Sequence, residues 1–150
     1  MLSKRFLLAG HALLVLLGLG CVERPRAPAR ADSDGRQVTA VPLAVREAVR
    51  TEMRTMLGSV HGLLMASMAG DTAAMRQAAT RSGLATAADP ALEKVLPEGF
   101  LRLEIDTDRQ FDELAAAIAA GIARDSVVGQ LARLTGNCVS CHASYRLELR

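Results

Sequence analysis

Three residues near the C-terminus, Cys138, Cys141 and His142, have types and a spacing that suit a redox cofactor. They form the motif C-x-x-C-H, which is the attachment signature of c-type haem. Two thiols three positions apart lie on nearly the same face of a helix, so each can add to one vinyl group of a porphyrin. The imidazole that follows is then placed to coordinate the iron. The sequence therefore predicts one covalently attached haem c per chain.

The same pair of cysteines has other interpretations when it is considered without iron. A thioredoxin-like couple lies at the N-terminus of a helix after a strand, where the helix dipole lowers the pKa of the thiol. Here the pair lies deep in the expected last helix, with no strand pattern before it. A zinc site would need a further ligand such as His61. A single histidine on a helix is more often solvated or packed in the core than bound to a metal. A structural disulfide is the third alternative, and all three stay open beside haem.

The first half of the chain carries the periodicity of two helices. Apolar residues recur three or four positions apart from Pro42 to Gly70, which predicts the first helix over this range. A second helix is expected from about Asp71, which would cap it, to Gly83. Residues 84–105 contain two proline-bearing segments, so they predict a long connection with one short helical turn between the prolines.

The second half of the chain is expected to add two more helices. Thr107-x-x-Gln110 has the pattern of a capping box and predicts the start of the third helix. The fourth runs from about Asp125 to Leu147 and carries the cysteines, and no strand pattern is found after residue 42. Short connections within each helix pair imply hairpins, joined by the long crossover. We therefore expect an all-α fold, an antiparallel four-helix bundle with covalently bound haem, in residues 42–150.

The first 41 residues are expected to precede this domain. Residues 1–20 have a charged start and an apolar stretch suited to a signal peptide but short of the about 20 apolar residues that span a bilayer. Export to the periplasm follows, and two processing sites compete. The stretch before Cys21 resembles a bacterial lipobox, whose lipid would provide the membrane contact, whereas Ala29-Arg30-Ala31 suits ordinary signal peptidase. Residues 21–41 are rich in Pro, Ala and Arg and predict a flexible tether.

Composition excludes several classes of function. Aromatic residues make up 3% of the chain, and five of its 18 Lys and Arg residues lie in the first 31 positions, which leaves 13 basic and 15 acidic residues from Asp32 onward. A nucleic-acid surface needs clustered basic residues with stacking aromatics, so we expect no such partner. The sequence has neither a nucleophile elbow nor a Gly-rich phosphate loop. A second histidine for peroxidase-like chemistry would have to be His61. We therefore expect no enzyme activity.

The C-terminal sequence Cys138-Val-Ser-Cys141-His142-Ala-Ser-Tyr145-Arg146 resembles that of the class II cytochromes c, the cytochrome c-prime family. The resemblance covers about residues 43–150 and depends on the position of the motif, because class I cytochromes c carry it near the start of the domain. It implies that Cys138 and Cys141 anchor the haem inside the bundle and that His142 is the proximal iron ligand. It further implies that Arg146 lies near the haem and that a homodimer is compatible with the chain.

The resemblance also implies two functional types, which differ in the sixth haem ligand. Low-spin members supply a methionine from the first helix and carry electrons, whereas high-spin members leave the distal face open and bind NO or CO. Met53, followed by a basic residue, resembles the ligand position of the low-spin members, and Met56 is the rival one turn later. The chain is therefore expected to be a periplasmic electron-transfer cytochrome with redox partner proteins. Five-coordinate gas binding is the alternative.

Overall fold

The computed structural model describes residues 34–86 and 92–150. The expected signal peptide of residues 1–20, Cys21 and the site at residues 29–31 lie outside the described residues. The described part of the chain contains four α-helices and one parallel sheet of two strands. None of these described helices is both long enough and apolar enough to cross a membrane. A mainly helical chain with four helices agrees with the sequence prediction.

Helix α1 spans Leu43–Ala69, as the sequence predicts. Pro42 stands at its N-cap, where the missing N–H of proline costs no helical hydrogen bond. Gly70 ends the helix with a φ of 70°, and its N–H donates to the carbonyl oxygen of Ser67. Because glycine has no Cβ, it adopts this left-handed conformation without strain.

Helix α2 spans Thr72–Thr80 and is capped by Asp71, which confirms the predicted cap. The Asp71 carboxylate accepts a hydrogen bond of 2.9 Å from the N–H of Ala74. The helix ends before Gly83, the residue expected to close it, and a short helical turn follows at Leu84–Thr86. A second turn at Leu92–Lys94 confirms the short helix expected between the two prolines.

Helix α3 spans Glu98–Ala119 and begins well before the predicted capping box, so that prediction is wrong. Thr107 lies inside the helix, and its hydroxyl donates to the backbone carbonyl four residues earlier. Pro97 takes the N-cap position instead, and Gly99 is accommodated within the first turn. Pro97 and Gly99 favour a loop by their local preferences. Phe100 is nevertheless buried, so the apolar face of the helix extends to its first turn.

Helix α4 spans Arg124–Ser144, and strand β2, Tyr145–Leu149, follows it directly. Strand β1, Gln37–Val41, pairs with β2 in parallel, with Gln37 opposite Tyr145 and Val41 opposite Leu149. Val41, the last residue of β1, is fully buried. The sheet therefore joins the two ends of the described chain beside the last turn of α4.

The two strands correct two sequence predictions. Helix α4 stops at Ser144 rather than Leu147, and residues 37–41 of the expected tether form a strand. The sequence from Tyr145 to Leu149 alternates apolar and charged residues, which is the period of a strand. An alternation of only five residues directly after a helix does not distinguish a strand from the last turn of that helix. Its partner strand lies far away in the sequence, so no local pattern shows the pairing.

Two apolar clusters form the core. The larger combines buried side chains from all four helices, namely Met56, Leu63, Ala66, Met75, Ala78, Ala79, Phe111, Leu114, Ile118, Val127, Leu131 and Leu134. The smaller consists of Val41, Val49, Leu92, Leu96 and Phe100, and Met53, Cys141 and Tyr145 pack against it. The smaller cluster thus lies where α1, α3, the end of α4 and the sheet meet.

Candidate functional site

A small cavity brings the predicted functional residues together. It has a volume of about 30 Å³. Its walls come from α1, α3 and α4, and they consist of Met53, Met56, Phe100, Leu103, Glu104, Thr107, Asn137, Cys138, Cys141 and His142. The two thiols and the imidazole of the C-x-x-C-H motif therefore share one cavity with the methionine that the sequence resemblance proposed as an iron ligand.

A larger cavity of about 300 Å³ has four of the same residues in its wall. The shared residues are Met53, Phe100, Cys141 and His142. Four arginines line this cavity as well, namely Arg36, Arg46, Arg50 and Arg146. The region next to His142 therefore combines an apolar wall with a group of guanidinium groups, which suits a ligand that has an apolar body and anionic substituents.

The two thiols are free and half-buried. Burial raises the pKa of Cys138, and burial together with the charges of Glu104 and Cys138 raises the pKa of Cys141. A thioredoxin-like couple needs the opposite shift, because its attacking sulfur must be a thiolate near neutral pH. The electrostatics of this site therefore disfavour the thiol-redox interpretation of the motif.

The two candidate methionines occupy different environments. Met53 is half-buried, lines both cavities and packs against both core clusters. Met56 has 6% of its surface exposed, belongs to the larger core cluster and lines the small cavity but not the larger one. His61 is exposed on α1 and lines neither cavity. Met53 thus shares more of its surroundings with His142 than the other two residues do.

The sequence predicts that Tyr145 and Arg146 belong to the last helix, but both lie on strand β2. The ring of Tyr145 packs edge to face on Phe100, with centroids 5.6 Å apart. Arg146 lines the larger cavity and forms an ion pair of 2.7 Å with Glu148. Both side chains remain beside the motif because the strand begins directly after the helix.

A hydrogen bond between α4 and α3 positions the start of the motif. The Asn137 side-chain amide donates to the Asp106 carboxylate over 2.8 Å. This bond, with further bonds from Arg109 and Gln110, lowers the pKa of Asp106. Sequence reasoning did not assign Asn137 a role, because only the packing of the two helices reveals its partner.

Three carboxyl groups, two of them buried and that of Glu52 half-buried, lie between α1 and α3, and sequence reasoning missed them. Glu104 and Asp108 are 9% and 1% exposed, and Glu52 interacts with both. Burial, followed by a hydrogen bond and charge from Glu52, raises the pKa of Glu104 to about 8. Burial, followed by the charges of Glu52 and Asp112, raises the pKa of Asp108 to about 7. Each of the three carboxyls has one oxygen without a hydrogen-bond partner among the described residues.

These raised pKa values predict that the protein loses stability as the pH rises. The pKa of Asp108 is raised from 3.8 to about 7, so between these values the native state binds more protons than the unfolded chain. The stabilisation from Asp108 is fully present below pH 3.8 and is lost as the pH rises through about 7. Urea unfolding between about pH 4 and about pH 8 should show this decline in the free energy of unfolding.

The variant Asp108→Asn should reduce the pH dependence, leaving the part that comes from Glu104. Glu113→Gln, which removes an exposed carboxylate from the same helix, is the matched control and should leave the slope unchanged. A free energy of unfolding that rises from acid to neutral pH in the native protein would contradict the prediction. A slope that Asp108→Asn leaves unchanged would also contradict it.

No model of a known protein family, no curated protein and no solved structure matches this chain. The function of this chain is therefore inferred from the motif and from the residues that the fold places around it.

Proposed function

We propose that this protein is a monohaem c-type cytochrome of the periplasm that carries single electrons. In this proposal Cys138 and Cys141 attach the haem, and His142 and Met53 are its iron ligands. One observation carries the proposal: these four side chains line the same cavity although they come from α1 and α4. A bound haem c would supply a one-electron iron couple.

The two thiols suit covalent attachment. Each S–H would add across one vinyl C=C bond, with the sulfur bonded to one carbon and the hydrogen to the other, so the reaction needs no oxidant. Both cysteines are free and half-buried, so both sulfur atoms are available to form a bond to carbon. His142 follows Cys141 in the last turn of α4, where an imidazole can serve as an iron ligand.

The larger cavity would hold the periphery of the cofactor. Arg46 and Arg50 line its wall, where each forms an ion pair with Glu47, and their guanidinium groups would also pair with propionate carboxylates through charge-assisted hydrogen bonds. Phe100 adds an apolar surface shared by the two cavities. The volume of about 300 Å³ is at the lower end of the range for small-molecule sites, about 300–1,000 Å³.

Met53 would complete the coordination of the iron. A thioether opposite an imidazole favours ferrous iron and raises the reduction potential, which suits electron transfer. Its half-buried position against the smaller apolar cluster also limits the access of water to this side of the cavity. Met56 is less suited because it is already packed into the larger core cluster.

The proposal includes the remaining expectations from the sequence. The four helices of residues 42–150 would form an antiparallel bundle around the haem, after an export segment in residues 1–20. The partners would be redox proteins and not nucleic acid, and the chain would not be an enzyme. A lipid at Cys21 would be its contact with the membrane.

A spectroscopic experiment tests this function directly. The full chain is produced in a bacterial periplasm together with the haem-attachment machinery, and its pyridine haemochrome and oxidised spectra are recorded. We expect one haem per chain that remains bound after denaturation, and a low-spin spectrum with the weak far-red band of sulfur ligation. A chain without covalent haem would contradict the proposal. A high-spin spectrum with a large shift on adding CO would favour gas binding instead.

A further inference from the structure

A cavity of about 490 Å³ lies between α1, the segment after α2, and α3, and it shares Met56 with the small cavity beside His142. Three carboxylates line it, namely Glu47, Glu52 and Asp108. Its wall also contains the side chains of Thr51, Thr55 and Thr86. The proposed haem function uses none of these six residues.

Asp108 is the most unusual residue of this wall. Its side chain is 1% exposed, and its Oδ2 atom has no hydrogen-bond partner among the described residues. The Oε2 atom of Glu52, which lines the same cavity, also lacks a partner there. A buried carboxylate is destabilised unless it is paired or hydrogen-bonded, so a bound cation would stabilise the ionised form of Asp108.

The threonine hydroxyls add further acceptors to the cavity. Thr51 donates its hydroxyl proton to the carbonyl of Glu47, and Thr55 donates its own to the carbonyl of Thr51, at 2.9 and 3.1 Å. Thr86 donates to the carbonyl of Gly83 at 2.8 Å. Because a hydroxyl has one proton, the oxygens of Thr55 and Thr86 have lone pairs left for a ligand. The oxygen of Thr51 already accepts a hydrogen bond of 3.2 Å from the Arg54 guanidinium. The wall is therefore rich in acceptors.

The cation in the wall, Arg81, is exposed, and its guanidinium group lies against α1 at Gly62. A Cβ added to Gly62 would be 3.0 Å from the Nη2 atom of Arg81. No ion pair between Arg81 and a carboxylate is found among the described residues. Glu47 forms ion pairs with Arg46 and Arg50, at 3.5 and 3.2 Å, so Glu52 and Asp108 are the carboxyl groups of this wall that are left for a ligand to match.

We propose that this cavity binds a small aliphatic primary amine in its ammonium form. The ammonium group would donate its three N–H bonds to Asp108, Glu52 and a threonine oxygen. Its alkyl part would lie against Ala48 and Met56, which are also in the wall. The volume suits a small molecule.

Calorimetric titration of the full chain tests this site. The probes are butylamine and 1,4-diaminobutane at about pH 8, where a carboxyl with a pKa of about 7 is mostly ionised. We expect saturable binding of both amines, because each provides a protonated ammonium group. We expect none for 1-butanol, which has the same alkyl chain without the charge. Magnesium chloride is titrated separately as the inorganic cation.

Two variants connect the binding to this cavity. Asp108→Asn and Glu52→Gln each remove one counter-charge and should weaken amine binding about tenfold or more. Glu113→Gln, which removes an exposed carboxylate elsewhere on α3, should leave binding unchanged. Asp108→Asn also removes a buried charge, so it should unfold at the same or a higher urea concentration than the native protein at this pH. Loss of binding in a stable variant therefore reports on the site.

Three results would overturn the inference: no saturable amine binding, amine binding that both variants leave unchanged, or binding of magnesium in place of the amine. The inference does not depend on the proposed haem, since the cavity lies outside the haem-binding residues. Its failure would leave the cytochrome proposal in place, and a chain without haem would leave the amine site to be tested on its own.

Discussion

Replacing both Cys138 and Cys141 with serine is expected to abolish covalent haem attachment. A serine hydroxyl does not add to a vinyl group under the conditions in which a thiol does, so neither link forms. The single variant Cys141→Ser should retain one link and leave one vinyl group unsaturated, which shifts the haemochrome band to longer wavelength. Haem staining after denaturing electrophoresis and the mass of the intact chain measure the loss, which should be at least about tenfold for the double variant.

A matched control distinguishes loss of the thiols from a general disturbance of α4. Ser140 lies between the two cysteines, is exposed, and donates its hydroxyl to the carbonyl of Gly136. Ser140→Ala should therefore leave covalent haem at the level of the native chain, and circular dichroism should show the same helical content in all variants. Covalent haem that persists in the double cysteine variant would contradict both the site and the function proposed here.

Met53→Ala is expected to convert a low-spin haem protein into a high-spin one that binds CO. Alanine has no donor atom, so it removes the proposed sixth ligand while His142 remains. Because axial ligands tune haem potentials over about 0.8 V, loss of the thioether should lower the reduction potential by about 100 mV or more. The measurements are the oxidised spectrum, a CO titration and a potentiometric titration of the native and variant proteins.

Met56→Ala is the control, because it removes the neighbouring thioether from the same helix. Met56 is buried in the larger core cluster, so this variant should lose about 2–5 kcal/mol of stability yet keep the low-spin spectrum. Met53 is half-buried and its loss should cost less stability. A high-spin spectrum for Met56→Ala alone would assign the ligand to Met56. A native protein that is already high-spin would favour gas binding.

Local signals explain which helix boundaries could be predicted. Pro42 has a fixed φ that suits the start of a helix, Gly70 tolerates the left-handed conformation that ends one, and the Asp71 carboxylate caps the next. The same kind of reasoning was wrong for α3, because Thr107 has the sequence of a capping box but lies inside a longer helix. Burial of Phe100 in the smaller core cluster outweighs the local preference of the preceding Pro and Gly.

The residue types and the spacing of the proposed haem site follow from the sequence without any knowledge of the tertiary structure. Cys138, Cys141 and His142 are adjacent in the chain, so their spacing on one helix depends only on local geometry. Met53 was a candidate by resemblance, but its place in the same cavity depends on how α1 packs against α4. Packing between distant segments cannot be derived from the period of either helix alone.

The folded structure sets the surroundings of these residues. It paired β1 with β2, collected arginines beside His142, and buried the carboxyls of Glu104 and Asp108 against Glu52. In the sequence these acidic residues look like parts of a solvated helix face. Their burial and raised pKa values arise because desolvation and charge interactions depend on distances in space, which are set only when α1 and α3 come together.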